Sequence, residues 1–235
     1  MPTLTDVLLR WPVALAFDGG RYYLPAGAAF FVFWIWGRER FAGRRVLGRS
    51  PLEETMRHDL GWSTVTVLVF SIVGVTVYFA GLAGVLGRYD DVGLLPGGAP
   101  WAVLSVPVLL VLQDTYFYWT HRAMHHPRLY PIFHRVHHEA RTPSPFTAYA
   151  FAIPEALVHA AFVPLVWLVL PLHELSVFAF LLVMIGRNVQ GHLSIELNRS
   201  GFTRHPVWGV LTTTTHHALH HEHAGFDFGL YFTFW

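Results

Sequence analysis

From Trp62 to Gly87 the chain runs for 26 residues without a charged side chain, and this stretch does more than any other to limit the possible folds. About 20 mostly apolar residues cross a bilayer as a helix, because a helix satisfies its backbone N–H and C=O groups within one segment. Two further stretches fit the same description. Tyr22 to Gly37 is uncharged and ends in "FVFWIW", and Val92 to Gln113 is uncharged up to Asp114. Ala156 to Leu172 and Leu175 to Gly186 are apolar but shorter, and they meet at "PLHE", which predicts a tight helical hairpin that penetrates the bilayer wholly or in part. Composition agrees: 53% hydrophobic and 13% charged residues, against about 25% charged in soluble domains. The expected fold is all-α and integral to the membrane, with about four transmembrane or hairpin helices in one domain over residues 1–235. The start of the chain lacks the basic, apolar, then small-residue order of a cleavable signal, so none is expected.

All 16 basic residues are arginine, there is no cysteine, and the net charge is +1. Disulfides, thiolate metal sites and thiol nucleophiles are thereby excluded, and no basic footprint for nucleic acid is present. Arg38, Arg40, Arg44, Arg45, Arg49 and Arg57 crowd one loop, whereas Arg88 on the next loop stands beside Asp90 and Asp91. The positive-inside rule then assigns the first loop to the cytoplasm. Counting spans from there brings residues 121–138, His192 and everything after it to that same face.

Those returning segments hold most of the 16 histidines. "HRAMHHPRLYPIFHRVHH" places six of them between His121 and His138. His121 and His125 stand four apart; His134, His137 and His138 form HxxHH; His217, His220 and His221 repeat that spacing in "HHALHH". Residues three and four apart share a helix face, so each cluster can aim two or three imidazoles at one point. Neutral imidazole suits iron, zinc, copper and nickel. Eight such rings exceed the four to six positions of one ion, which implies two metals. His58, His159, His173 and His205 stand alone and read as surface or hydrogen-bonded residues. The same clusters could serve a membrane metal-binding or metal-transport protein, or a pH switch. A transporter, however, would tend to hold its ligands near the bilayer midplane in broken helices.

The segments "DTYFYWTHRAMHH", "YPIFHRVHH", "GHLSIE" and "HHALHHEHAGFDFG" resemble the successive signatures of the fatty acid hydroxylase superfamily, also called the sterol desaturase family. The likeness runs from about Asp114 to Trp235, within a histidine-box core of about 98–235. It implies an integral-membrane non-haem di-iron oxygenase that uses O2 to hydroxylate or desaturate an unactivated C–H position of a lipid or sterol-like substrate. It further implies His121, His125, His134, His137, His138, His217, His220 and His221 as metal ligands, with His192 as an additional one. His126, His216 and His223 are spare, and His216 competes with His217 for ligation. Where some relatives carry a further histidine, four residues before His192, this chain has Asn188, an uncertain ligand. Asp227 stands where asparagine is common, and relatives continue past the residue matching Trp235, so a C-terminally truncated chain is expected.

The chemistry asks for more than ligands. A metal centre does the hard redox step while protein supplies geometry, electrostatics and exclusion of water. Soluble di-iron bundles use Glu and ExxH motifs; these boxes contain no ExxH, so carboxylates are expected behind the imidazoles. Asp114, seven residues before His121, and Glu196, four after His192, are the candidates to accept a ring N–H. Glu155, which follows Pro154 and precedes His159 by four, reads as a first-turn residue favoured by the helix dipole. Electrons must come from a separate cytochrome, ferredoxin or reductase, since the chain has no dinucleotide fingerprint, no C-x-x-C-H and no cysteine for an iron–sulfur cluster. Of the two outcomes, hydroxylation is the expectation. Zinc can replace iron on purification. The lack of lysine beside abundant Arg, Ala, Gly and Val suggests a GC-rich bacterial source and hence an inner-membrane location.

Overall fold

The computed structural model describes residues 3–91 and 98–235. Thr3 opens α1 (Leu4–Phe30) with a capping box: its side chain accepts from the Asp6 N–H while the Asp6 carboxylate takes the Thr3 N–H. The helix runs through Pro12 and Pro25 and widens into a π-helical stretch, Phe31–Trp36. The first expected span, Tyr22–Gly37, is thus only the later part of a longer helix. Asp18 and Arg21 hid the earlier part: as bare charges they end an apolar run, but inside the bundle they pair with each other at 2.5 Å.

Helix α2 (Glu53–Leu82) packs antiparallel on α1, with Trp11 Nε1 donating to Ser71 and the Tyr22 hydroxyl donating to Ser63. It begins earlier than the uncharged run and stops before its end. Helix α3 (Gly98–Met124) continues past Asp114 through His121 and ends just before His125; the start of the span expected from Val92 lies outside the described residues. Both helices are long and apolar enough to cross a membrane, with mean hydropathies of 2.2 and 1.3 over their most apolar stretches. Leu68, Ile72, Val103, Leu104 and Trp119 point outward from them. A soluble protein would bury such surface, whereas a bilayer accommodates it.

Helices α6 (Ile153–Val169) and α7 (Glu174–Gly191) form the expected hairpin. A two-residue parallel ladder of β1 (Arg88–Tyr89) with β2 (Leu172–His173) ties its turn to the loop after α2. Trp101 Nε1 donates to the Pro171 carbonyl, and Arg88 pairs with Glu174. One pole of the bundle therefore gathers the end of α2, the start of α3 and the hairpin turn.

The opposite pole collects α4 (Tyr130–Phe133), α5 (Arg135–His138), a 3-10 turn at Pro145–Tyr149 and α8 (Thr214–His223). The arginine-rich loop packs on this pole. Arg44 donates to the carbonyls of Leu197 and Asn198, and Arg49 reaches Thr142 and Glu222. Two apolar clusters hold the bundle together, one around Tyr22, Val67, Tyr149 and Ile185 and the other around Leu109, Phe162, Leu172 and Phe180.

Candidate metal centre

His121 comes from the last turn of α3 and His125 from the turn that follows it, His134 links α4 to α5, and His137 and His138 lie on α5. His192 caps the C-terminal end of α7, and His217, His220 and His221 project from α8. The fold sorts these nine rings into two groups. His121, His125, His134, His138 and His220 form one and His137, His192, His217 and His221 the other, each with its ligand nitrogens within 4.8 Å of one another. Every ring but that of His125 is buried.

The outer nitrogens show why the rings face inward. Nδ1 of His121 donates to the Phe228 carbonyl at 2.9 Å, that of His192 to Asn188 at 2.8 Å, that of His220 to Phe226 at 2.6 Å and that of His221 to Ala140 at 3.0 Å. Nδ1 of His134 donates to a Glu155 carboxylate oxygen at 2.6 Å. A neutral imidazole has one N–H, so a ring that donates at Nδ1 presents Nε2 as a bare acceptor. His121 Nε2 lies 2.9 Å from His134 Nε2 and 3.0 Å from His220 Nε2. In the other group His192 Nε2 lies 2.8 Å from that of His217 and 3.2 Å from that of His137. Among the described residues His221 Nε2 is buried with no hydrogen-bond partner. Converging lone pairs without a shared proton repel, and a Lewis acid between them removes the repulsion. The donor set therefore fits a pair of metal ions.

Protonation does not compete at neutral pH. Burial pushes His134 and His220 down to about 3 and His192 to about 4. His137, His138, His217 and His221 fall well below the ordinary imidazole value, first through burial and then through neighbouring rings. These rings are neutral at pH 7.

The residues expected behind the ligands take other roles. Asp114 does not accept from His121. Its Oδ1 takes the N–H groups of Leu230 and Tyr231, and its Oδ2 takes Trp235 Nε1, so it fastens the segment whose Phe226 and Phe228 carbonyls hold His220 and His121. Glu196 likewise leaves His192 to the Asn188 carbonyl. It accepts from Thr215 N and Oγ1 and from Asn198, anchoring the first turn of α8. The Asn188 side chain donates to the Ala148 carbonyl at 2.8 Å, and only its backbone touches a histidine ring. His216 belongs to neither group: its Nδ1 accepts from Thr213 N in the capping box of α8. His126 and His223 are exposed.

Glu155 was undervalued by its position after Pro154. Fully buried, it accepts from His134 and, at 3.4 Å, from His159. The pairing of Glu155 and His159 at the start of an apolar helix is the signal the sequence offers; the link to His134, 21 residues away, is not. In the C-terminal segment Asp227 adopts φ 58°, a left-handed conformation that Asp and Asn tolerate better than most residues. A Cβ on Gly229 would stand 2.4 Å from the Phe232 carbonyl, so this turn requires glycine.

A cavity of about 530 Å³ lies between α1, α2, α3, α6 and α7. Phe117, Phe151, His159 and Asn188 line it near the histidines, and Arg88 lines it toward the other pole. The Phe151 ring is centred 5.3 Å from that of His137, and Phe117 4.9 Å from His121.

Residues 106–235 match the family model for fatty acid hydroxylase. The chain is 28% identical over 185 residues to lathosterol oxidase of Rattus norvegicus, covering 78% of this chain and 60% of that protein. It is 26% identical over 186 residues to lathosterol oxidase of Homo sapiens, with the same coverage. A Delta(7)-sterol 5(6)-desaturase of Aspergillus fumigatus is 27% identical over 206 residues, 77% of this chain and 61% of that protein. The chain thus spans about 60% of the length of these relatives. No solved structure matches it.

Proposed function

The chain belongs to the fatty acid hydroxylase family, and on that premise we propose that it is an O2-dependent oxidoreductase acting on an unactivated C–H bond of a lipid or sterol-like substrate. In this reading residues 1–235 work as one membrane-embedded domain with about four spanning or hairpin helices. The histidine pole faces the cytoplasm, in a bacterial chain from the inner membrane. The arginine-rich loop, which hydrogen-bonds to that pole, supports the orientation.

Two irons would be held by His121, His125, His134, His138 and His220 and by His137, His192, His217 and His221, and would supply the redox chemistry that turns O2 against a C–H bond with electrons from an external cytochrome, ferredoxin or reductase. The chain's own part is to orient and to exclude. Backbone carbonyls and Glu155 fix the tautomer of the rings, as such partners do at metal sites generally. Burial keeps water from the centre, and the apolar cavity brings a hydrocarbon beside Phe117 and Phe151. Hydroxylation and desaturation both begin with removal of hydrogen; the relatives' names weigh toward desaturation of a sterol.

The observation that carries this reading is the convergence of bare Nε2 atoms in two groups. Metal content per chain, measured by mass spectrometry on protein expressed with iron and purified in mild detergent, tests it together with Mössbauer spectroscopy of an iron-57 sample. Two irons per chain with a coupled-pair spectrum are expected. Folded protein with far less than one metal per chain would sink the proposal.

A further inference from the structure

The cavity contains a charged pair that the metal centre does not use. Asp18 and Arg21, on the middle of α1, both line it and are both more than nine-tenths buried. One guanidinium nitrogen, Nη2, donates to Asp18 Oδ1. Nε and Nη1 are buried without a hydrogen bond of ordinary geometry among the described residues, and so is the Tyr149 hydroxyl, which stands near enough to the guanidinium to interact with it but not to satisfy it. The Arg21 guanidinium carbon is 5.8 Å from the centre of the Tyr149 ring. Buried donors without partners cost folding free energy. Their persistence on the wall of a mostly apolar cavity points to a ligand that completes them.

We propose that Asp18, Arg21 and Tyr149 form an anchor for the hydroxyl group of a neutral lipid alcohol, whose hydrocarbon extends along the cavity toward Phe151 and His137. The inference deepens the proposed function and rests on it for the identity of the cavity as a substrate site. Charge selects the hydroxyl over a carboxylate. The pair is neutral as a unit, and of the other arginines on the cavity wall Arg88 is paired with Glu174 and Arg10 lies farther back along α1, over Tyr78. A fatty acid anion placed here would therefore add a second negative charge beside Asp18 with Arg21 as the adjacent cation, in surroundings of low dielectric. A hydroxyl oxygen can accept from the free Arg21 N–H groups and donate its own proton to the Asp18 carboxylate or the Tyr149 oxygen, leaving the net charge at zero. From Tyr149 the aromatic wall continues through Phe151 to His137, at ring spacings of 6.1 and 5.3 Å, which links the anchor to the metal centre.

Equilibrium binding to the detergent-purified chain tests this with matched probes: lathosterol and its 3-methyl ether, octadecanol and its methyl ether, and octadecanoate. In the unmodified protein at least one alcohol should bind about tenfold or more tighter than its ether, since a hydrogen bond to a charged group is worth roughly that factor, and octadecanoate should bind less tightly than octadecanol. Asp18→Asn with Arg21→Gln should erase the preference while metal content stays unchanged. Tyr149→Phe, which keeps the ring and its packing, should reduce the preference and serves if the double variant fails to fold. Equal binding of alcohol and ether, tighter binding of octadecanoate, or no saturable binding of either alcohol overturns the anchor. Binding is measured without turnover and metal content separately, so loss of the anchor and loss of the oxygenase reading are distinguishable.

Discussion

The two histidine groups share a ligand type but differ in what holds them. In the five-membered group His134 leans on the carboxylate of Glu155, and His121 and His220 lean on a C-terminal segment that Asp114 fastens. The four-membered group has no carboxylate behind it among the described residues; His192 and His221 lean on the carbonyls of Asn188 and Ala140. One half of the centre is therefore coupled to side chains that substitution can reach. The other is built on backbone, which tolerates change around it but not loss of a ring.

The largest effect is expected where a four-membered group becomes three. His137→Ala should remove the metal of that group and abolish turnover, read as a fall from two metals per chain toward one or fewer; normal activity would end the dimetal proposal. Glu155→Gln should lower metal affinity or activity by about 10- to 100-fold, the usual effect of removing a partner behind a ligand, and should spare the four-membered group. Metal-specific spectra distinguish the two groups, and equal loss from both would erase the distinction between them. Asp114→Asn should release part of the Leu230–Trp235 segment and cost about 1–3 kcal/mol of stability, measured by thermal unfolding in detergent, with weaker metal retention confined to the five-membered group. Asn188→Ala should matter least. Its side chain supports Ala148 rather than a ring, so metal content should hold while stability falls by about 1 kcal/mol; a marked loss of metal would make its amide a ligand.

Much of this was legible in local spacing. The intervals within His121–His125, His134–His138 and His217–His221 bring the rings near one another, but not to one point per cluster: His137 parts from His134 and His138, and His220 from His217 and His221. Helix α2 followed from its apolar run. What could not be read was contact over distance. His121 meets Phe228 across 107 positions, and no periodicity encodes which carbonyl will receive an N–H. Asp114 and Glu196 sat at helical intervals from His121 and His192, yet the backbone donors of the C-terminal segment and of α8 reached them first. Helix α7 also ends at Gly191, so the four-residue step from His192 to Glu196 is not a helical one. The first half of α1 leaves no apolar run for a related reason: the cost of Asp18 and Arg21 in an apolar setting is offset by their pairing, which exists only once the helix is formed.

The five-membered group brings His121 and His220 together although 99 positions separate them, and the four-membered group joins His137 to His192 across 55. An ion bound in either place is thus a cross-link as well as a reagent. It closes a loop whose ends the unfolded chain rarely brings together, and the entropy of that closure is supplied by metal–nitrogen bonds. On the proposed reading, loading the centre would be a step of folding: metals would join the helices from α3 to α8 into one mechanical unit, and stripping them should loosen the histidine pole before the far pole, where β1 and β2 pair without an ion.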